Sequence, residues 1–400
     1  MTQIGYCTNI HAGTDVPSIL KNLREISARV RSLTIDHSTD WLGVGLWIPR
    51  LAAQQLTTDA AQMQRMSETL VELQLMPMTI NGFPFSNFHQ DVVKHDVYLP
   101  GWWDDARLDY TQDLTIILHQ LLLAFGQPDQ VASISTLPLG WPDDDTGVND
   151  ERMRAAAKNL ANMADFLHRQ EQETGRRTVI AIEPEPGCML DCTDDMLTFF
   201  DRFLSGPRQR RYLTVCHDVC HSAVMFESQE DTLLHYAGAG IEIGKVQVSS
   251  AIDLPLQDLD RPQRLAAIEQ LQLFAEDRYL HQTGLKRGAQ FELVPDLPIA
   301  LEQLRQDPLI DHARVHFHVP IHIDAFDHLS TTRDDVRAAI QTLSSDRWQS
   351  MQSIGAAAFT GHYEVETYAW SVLPQHLKTA DTAENIAQEL RYAKQLISKG

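Results

Sequence analysis

Thr178-Val179-Ile180-Ala181-Ile182-Glu183-Pro184-Glu185-Pro186 sets a nearly continuous apolar run directly before two carboxylates and two prolines. Such a run has no polar side to give to water. It reads as a strand buried on both faces, the mark of a parallel sheet. Eight further short runs share this character, at residues 3–9, 43–48, 78–81, 132–137, 212–216, 243–249, 314–320 and 363–368. Amphipathic helices lie between them. Val16, Ile19, Leu20, Leu23, Ile26 and Val30 recur at helical spacing, with Asp15 in place to cap. Residues 104–125 and 150–173 carry the same stripe. Strand–helix alternation without a break in composition indicates one α/β domain. An open doubly wound sheet is the rival architecture. Its usual Gly-rich first turn is replaced here by Cys7-Thr8-Asn9-Ile10-His11, and Gly43-Val44-Gly45 lies inside a strand. The expectation is a (β/α)8 barrel over residues 1–372, with a helical tail over 373–400 packed on it and capped by Asp381. Nine strands are one too many. Either 314–320 or 363–368 is the eighth, and the other is an extra strand. Residues 274–297 read as an inserted hairpin.

Composition narrows the function. The 400-residue chain carries a net charge of −21, which repels phosphate backbones, so no nucleic-acid partner is expected. No run approaches the roughly 18 uncharged apolar residues of a membrane helix. The N-terminus lacks a basic, apolar leader, so a cytoplasmic location without membrane insertion is expected. Five cysteines, an odd number, argue against a disulfide framework. They read as small packing residues, with a thiolate zinc site from Cys216, Cys220 and His221 the sharper alternative.

Barrel active sites lie at the carboxyl ends of the strands. There the chain places Asn81, Glu183, Glu185, Asp218, His221, Gln247, His316, His318, Glu364 and Glu366. Buried carboxylates need a cation or a donor. Glu183 reads as a metal ligand or acid–base residue, or else as half of a salt bridge. Asp218 and His221, three residues apart on a turn, can reach one divalent ion, and Asp218 can equally cap a helix. Gln247 offers an amide oxygen to an ion or to a substrate hydroxyl, or is tied to backbone. Alternation puts Glu364 and Glu366 on one side of their strand, where Glu366 closes the site opposite Glu183. His316 and His318 likewise share a face, either as ligands or as plain lining. His281, in the hairpin, reaches over the pocket. Aromatics crowd residues 83–103, among them Trp102, and either suit a sugar ring or a flat ligand or form a small satellite core under the loop.

Glu183, Asp218-x-x-His221 and Glu366 on successive late strands resemble the ligand pattern of the xylose isomerase-like barrels, which include ketose 3-epimerases and endonuclease IV-type enzymes. That family supplies a histidine where this chain has Gln247. A closer resemblance, over nearly the whole chain, is to the EboE-type metabolite traffic proteins. It rests on Ile4-Gly5-Tyr6-Cys7-Thr8-Asn9-Ile10-His11, Asn81-Gly82-Phe83-Pro84, Asp218-Val219-Cys220-His221, Arg278-Tyr279-Leu280-His281-Gln282 and His316-Phe317-His318-Val319-Pro320. The resemblance implies a divalent ion (Mn, Zn, Mg or Co) held by Glu183, Asp218, His221, Gln247 and Glu366. It implies Glu183, Glu366 and His221 as catalytic groups. Asn81, Gln247, His281, His318 and Trp102 would contact a small polyhydroxylated carbonyl metabolite. The activity implied is isomerisation or epimerisation. The alternative is a non-catalytic carrier on the same barrel, with functional partners encoded in the same gene cluster.

Overall fold

A computed structural model describes residues 3–35, 40–126, 131–142, 150–367 and 381–398. Seven parallel strands come first: β1 (Gln3–Cys7), β2 (Leu42–Trp47), β3 (Leu75–Asn81), β4 (Ala132–Thr136), β5 (Thr178–Ile182), β6 (Leu213–Asp218) and β7 (Ile243–Val248). The chain then leaves for β8 (Ile252–Pro255), β9 (Thr283–Arg287), β10 (Gln290–Val294), β11 (His312–Val315), β12 (Ala325–Phe326) and β13 (Leu329–Thr331). It returns as β14 (His362–Val365), which pairs with both β7 and β1 and closes the barrel. Helices between the strands cover the outside, as parallel crossovers require. Asp15 caps the first of them by accepting from the Ser18 N–H at 2.8 Å. Among the described residues no helix is long and apolar enough to cross a membrane.

The eighth barrel strand is therefore β14, and residues 314–320 belong elsewhere. Strands β8 to β13 form a separate six-stranded antiparallel sheet, in the order β10-β9-β11-β8-β13-β12. The β9–β10 hairpin lies inside residues 274–297, as its sequence suggests. The rest of the insert goes beyond one hairpin and one extra strand. Its remaining new strands are two to four residues long, too short to show a period. The insert has its own core around Leu254, Phe274, Leu285, Leu301 and Val315. Beyond Val315 the chain runs on from this sheet to the barrel mouth. There the Val319 N–H donates to the Ser250 carbonyl at 2.9 Å. The last helix, Thr382–Ile397, is capped by Asp381 and touches the first helical segment, where Arg29 pairs with Asp381. The boundary at 372/373 lies outside the described residues.

Candidate metal centre at the barrel mouth

The carboxyl ends of β5, β6, β7 and β14 each bring one polar side chain to a common point. Glu183 follows β5, and its N–H continues the ladder to the Thr136 carbonyl at 2.9 Å. Asp218 ends β6 and caps the short helix Val219–Val224. Its Oδ1 accepts from the His221 N–H at 3.0 Å and from Ser249 Oγ at 2.7 Å. Gln247 on β7 lies in register between Asp218 and Glu364. Glu366 follows β14, and its Oε1 accepts from Asn9 Nδ2 at 2.6 Å and Asn81 Nδ2 at 2.9 Å. Ligand atoms of Glu183, Asp218 and Glu366 lie within 4.8 Å of one another, all buried.

These residues fit a divalent cation. Glu183 Oε2, Asp218 Oδ2 and both side-chain atoms of Gln247 are buried without a hydrogen-bond partner among the described residues. Each such atom costs about 1–3 kcal/mol if nothing compensates it. Three carboxylates and an amide form a hard oxygen set of the kind magnesium and manganese take. The electrostatics agree. Burial, then the neighbouring Glu366 and Asp218, push the Glu183 carboxyl well above the carboxylate range. Burial, then Asp218 and Glu364, push Glu366 up to about 8. Burial also works to raise Asp218, but His221, His318 and its two hydrogen bonds hold it below its ordinary value.

One layer down, Glu364 points into the barrel and pairs with Lys245, both fully buried. Gly45 makes the room: a Cβ there would stand 1.3 Å from Glu364 Oε1. The five cysteines are free thiols, and burial first of all holds those of Cys7, Cys216 and Cys220 up.

Two residues, His281 and Trp102, sit away from the pocket where the sequence reading set them, and His221 sits at its edge. His221 lies beside the Glu183–Asp218–Glu366 group, sharing a candidate ligand set with Asp218 and His318, and it lines the pocket. Its Nδ1 is 2.8 Å from the Pro184 carbonyl, which turns Nε2 toward His316 Nε2, 3.2 Å away. His281 does not line the pocket. Its Nδ1 meets the His316 carbonyl at 3.0 Å and its Nε2 meets Glu276 Oε1 at 2.9 Å, so both ring nitrogens are engaged and it holds the His316 backbone. Trp102 is completely buried, with Nε1 donating to Thr136 Oγ1 at 3.0 Å, and belongs to the core rather than the ligand pocket.

Above the carboxylates is a small pocket with Phe83, Phe88, Tyr98, Tyr279 and Leu280 in its walls. Asn81, His318, Glu183 and Glu366 line its floor. Gln247 and Asp218 lie beneath. Asn9, Glu185 and Tyr98 stand at strand ends or among the loop aromatics in the sequence but carry no assigned role there, and Lys94 is not singled out. Tyr98 donates to Glu185 Oε1 at 2.7 Å. Asn9 ends the first strand run and Glu185 repeats Glu183 after one proline, the signals that place both at the barrel mouth. Tyr98 is one of the aromatics of residues 83–103, while Lys94, in the same segment, has no period to mark it.

No protein-family model and no curated protein matches the chain. Among solved structures, it is similar to a xylose isomerase-like TIM barrel protein from Mycobacterium smegmatis in complex with magnesium. That likeness has 10% identity, a TM-score of 0.52, and covers 100% of this chain and 97% of the other. An L-ribulose 3-epimerase is similar at 12% identity and a TM-score of 0.49, over 100% of this chain and 95% of the other. Closed barrel, parallel register and the likeness to the magnesium-bound Mycobacterium smegmatis barrel agree: the chain has the fold of the xylose isomerase-like TIM barrels.

Proposed function

We propose that this protein is a divalent-cation-dependent isomerase or epimerase of a small polyhydroxylated carbonyl compound. The observation that carries the reading is the convergence of Glu183, Asp218 and Glu366 over the unbonded amide of Gln247 at the mouth. A bound ion supplies Lewis acidity to a carbonyl and its neighbouring hydroxyl. The protein residues supply the rest. Glu366, held by Asn9 and Asn81, faces the pocket, where its carboxyl can give a proton to the substrate carbon. Glu183 takes a proton from the substrate carbon, and Glu366 returns one from the other side. Asn81, on the pocket floor, keeps Glu366 in one orientation. The aromatic walls exclude water and suit the apolar face of a sugar.

Incubation of the manganese-loaded protein with ketoses in deuterium oxide tests this. Deuterium should enter the carbon next to the carbonyl, and Glu183→Gln should stop it. Ligand binding without exchange would replace the reading by a carrier. The replacement of a histidine by Gln247 favours that second reading, since an amide holds an ion less firmly than imidazole. The resemblance to EboE-type proteins supports a place in metabolite traffic for either form.

A further inference from the structure

The pocket is walled from two sides that are far apart in the chain. Phe83, Phe88 and Tyr98 belong to the loop between β3 and the helix Asp105–Ala124, whereas Tyr279 and Leu280 belong to the insert. What joins the two sides is thin. Phe88 and Val93 meet Tyr279 in a small apolar cluster with Trp47, separate from the barrel core and from the core of the insert. Tyr279 O–H donates to the Phe88 carbonyl at 3.2 Å, and Gln282 Nε2 donates to the Tyr98 oxygen at 3.0 Å. A seam with so few buried apolar contacts parts more readily than the strands of the barrel.

A backbone grip lies at the middle of this seam. Val93 is in the right-handed helical region and Lys94 in the left-handed one, at φ 38°. Successive residues of opposite hand turn both N–H groups to one point, a nest for an electronegative atom. Here that atom is the Arg278 carbonyl oxygen, 2.8 Å from Val93 N and 3.0 Å from Lys94 N. A lysine stays left-handed only where its surroundings hold it, and what the strain secures is contact with the insert. The side chain of Lys94 adds to the grip, with Nζ 2.6 Å from Asp296 Oδ2. Asp296 is anchored on the other side of the seam. Its Oδ1 accepts from the N–H of His281 at 3.1 Å and of Leu297 at 2.9 Å, where it caps the helix Leu297–Gln306.

We propose that the loop is a lid, latched to the insert by the Lys94–Asp296 ion pair, and that ligand exchange requires this latch to open. Lys94 itself lines the pocket, so the latch sits where a ligand must pass. The two side chains are 27% and 15% exposed, which leaves the pair within reach of water and salt. Breaking it therefore avoids the large cost of stranding a charge in a core, and Asp296 keeps its two backbone donors. The inference concerns access to the pocket and stands whether the barrel turns over its ligand or only carries it.

Hydrogen–deuterium exchange of the full chain, read by mass spectrometry, tests this. Residues 86–98 and 276–282 should exchange together and ahead of β5 and β6. Lys94→Met and Asp296→Asn should each speed both segments by about fivefold, leave β5 and β6 unchanged, and add little when combined. Sodium chloride at about 1 M, which screens charges beyond about 3 Å, should do the same to the unaltered protein, so the test needs no variant to fold. Manganese uptake by the metal-free protein should quicken by a similar factor. Exchange that ignores both variants and salt overturns the proposal, as does faster exchange with unchanged uptake. If no manganese binds, the metal reading falls and the exchange rates alone decide this one.

Discussion

Asn81 and Glu366, 285 residues apart in the chain, meet at the barrel mouth with Asn81 Nδ2 donating to Glu366 Oε1 at 2.9 Å. A hydrogen bond to a charged group is worth about 1.5–3 kcal/mol. Asn81→Ala removes it and makes the Glu366 carboxyl hold its proton more tightly. The pH at which manganese binding is half complete should rise by about one unit, at 1.36 kcal/mol per unit. Calorimetric titration across pH 6–9 checks this, and an unmoved midpoint would mean that Glu366 is not a ligand.

The metal-free protein should lose stability as pH rises from about 6.5 to 8.5. The folded value of Glu366, about 8, lies above the roughly 4.3 of an unfolded glutamate. Its contribution is thus complete below about pH 4.3 and declines until pH passes 8. His318 acts oppositely. Burial, against the pull of Asp218, lowers it to about 4, so its contribution is lost as pH falls below the unfolded value near 6.5, and it is silent above. Glu366 alone should cost on the order of 2 kcal/mol over this window. Thermal melts in chelator against melts in manganese measure it, and saturating metal should flatten the decline.

Gln247→His should tighten binding of manganese or zinc about tenfold, because imidazole donates more strongly to first-row ions than an amide oxygen. Both polar atoms of Gln247 are unbonded among the described residues, so the change breaks no hydrogen bond. An unchanged affinity would show that this side chain does not face the ion.

Gly45→Ala should destabilise the fold by roughly 3 kcal/mol or more. The new methyl group would displace Glu364 from Lys245, and breaking a buried pair costs about 3–5 kcal/mol. Chemical denaturation gives the value. A loss below about 1 kcal/mol would mean that the pair shifts as a unit without separating.

Trp102→Phe should leave metal affinity unchanged and cost stability, by about 1–3 kcal/mol, through the lost volume and the stranded Thr136 hydroxyl. A weakened metal site with intact stability would return Trp102 to the pocket.

Glu183 and Asp218 were legible because each closes a mostly apolar run, Glu366 because alternation sets it on the same side as Glu364, and parallel strands deliver such ends to one mouth. The orientation of His221 was not legible. It depends on the carbonyl of Pro184, a backbone atom with no signature in the residue types. The burial of Trp102 was hidden for a similar reason: an aromatic in a loop reads the same whether it faces a ligand or Thr136. The inserted sheet escaped because β12 and β13 have two and three residues, and their pairing is set by the neighbouring β8 rather than by their own pattern.

The position of the insert has a consequence for biosynthesis. Tyr6 on β1 pairs with Val365 on β14, so the first barrel strand waits for nearly the last. Until β14 has been made, β1 and β7 lack the strand that joins them, so any barrel sheet formed by then would be open at those two rims. Everything between Val248 and His362 must be translated before the gap can shut, a delay on the order of ten seconds at about 5–20 residues per second. Strand rims left open that long invite pairing with other nascent chains. The insert, with an apolar core of its own, can fold during the wait and hand β14 to a sheet already in place.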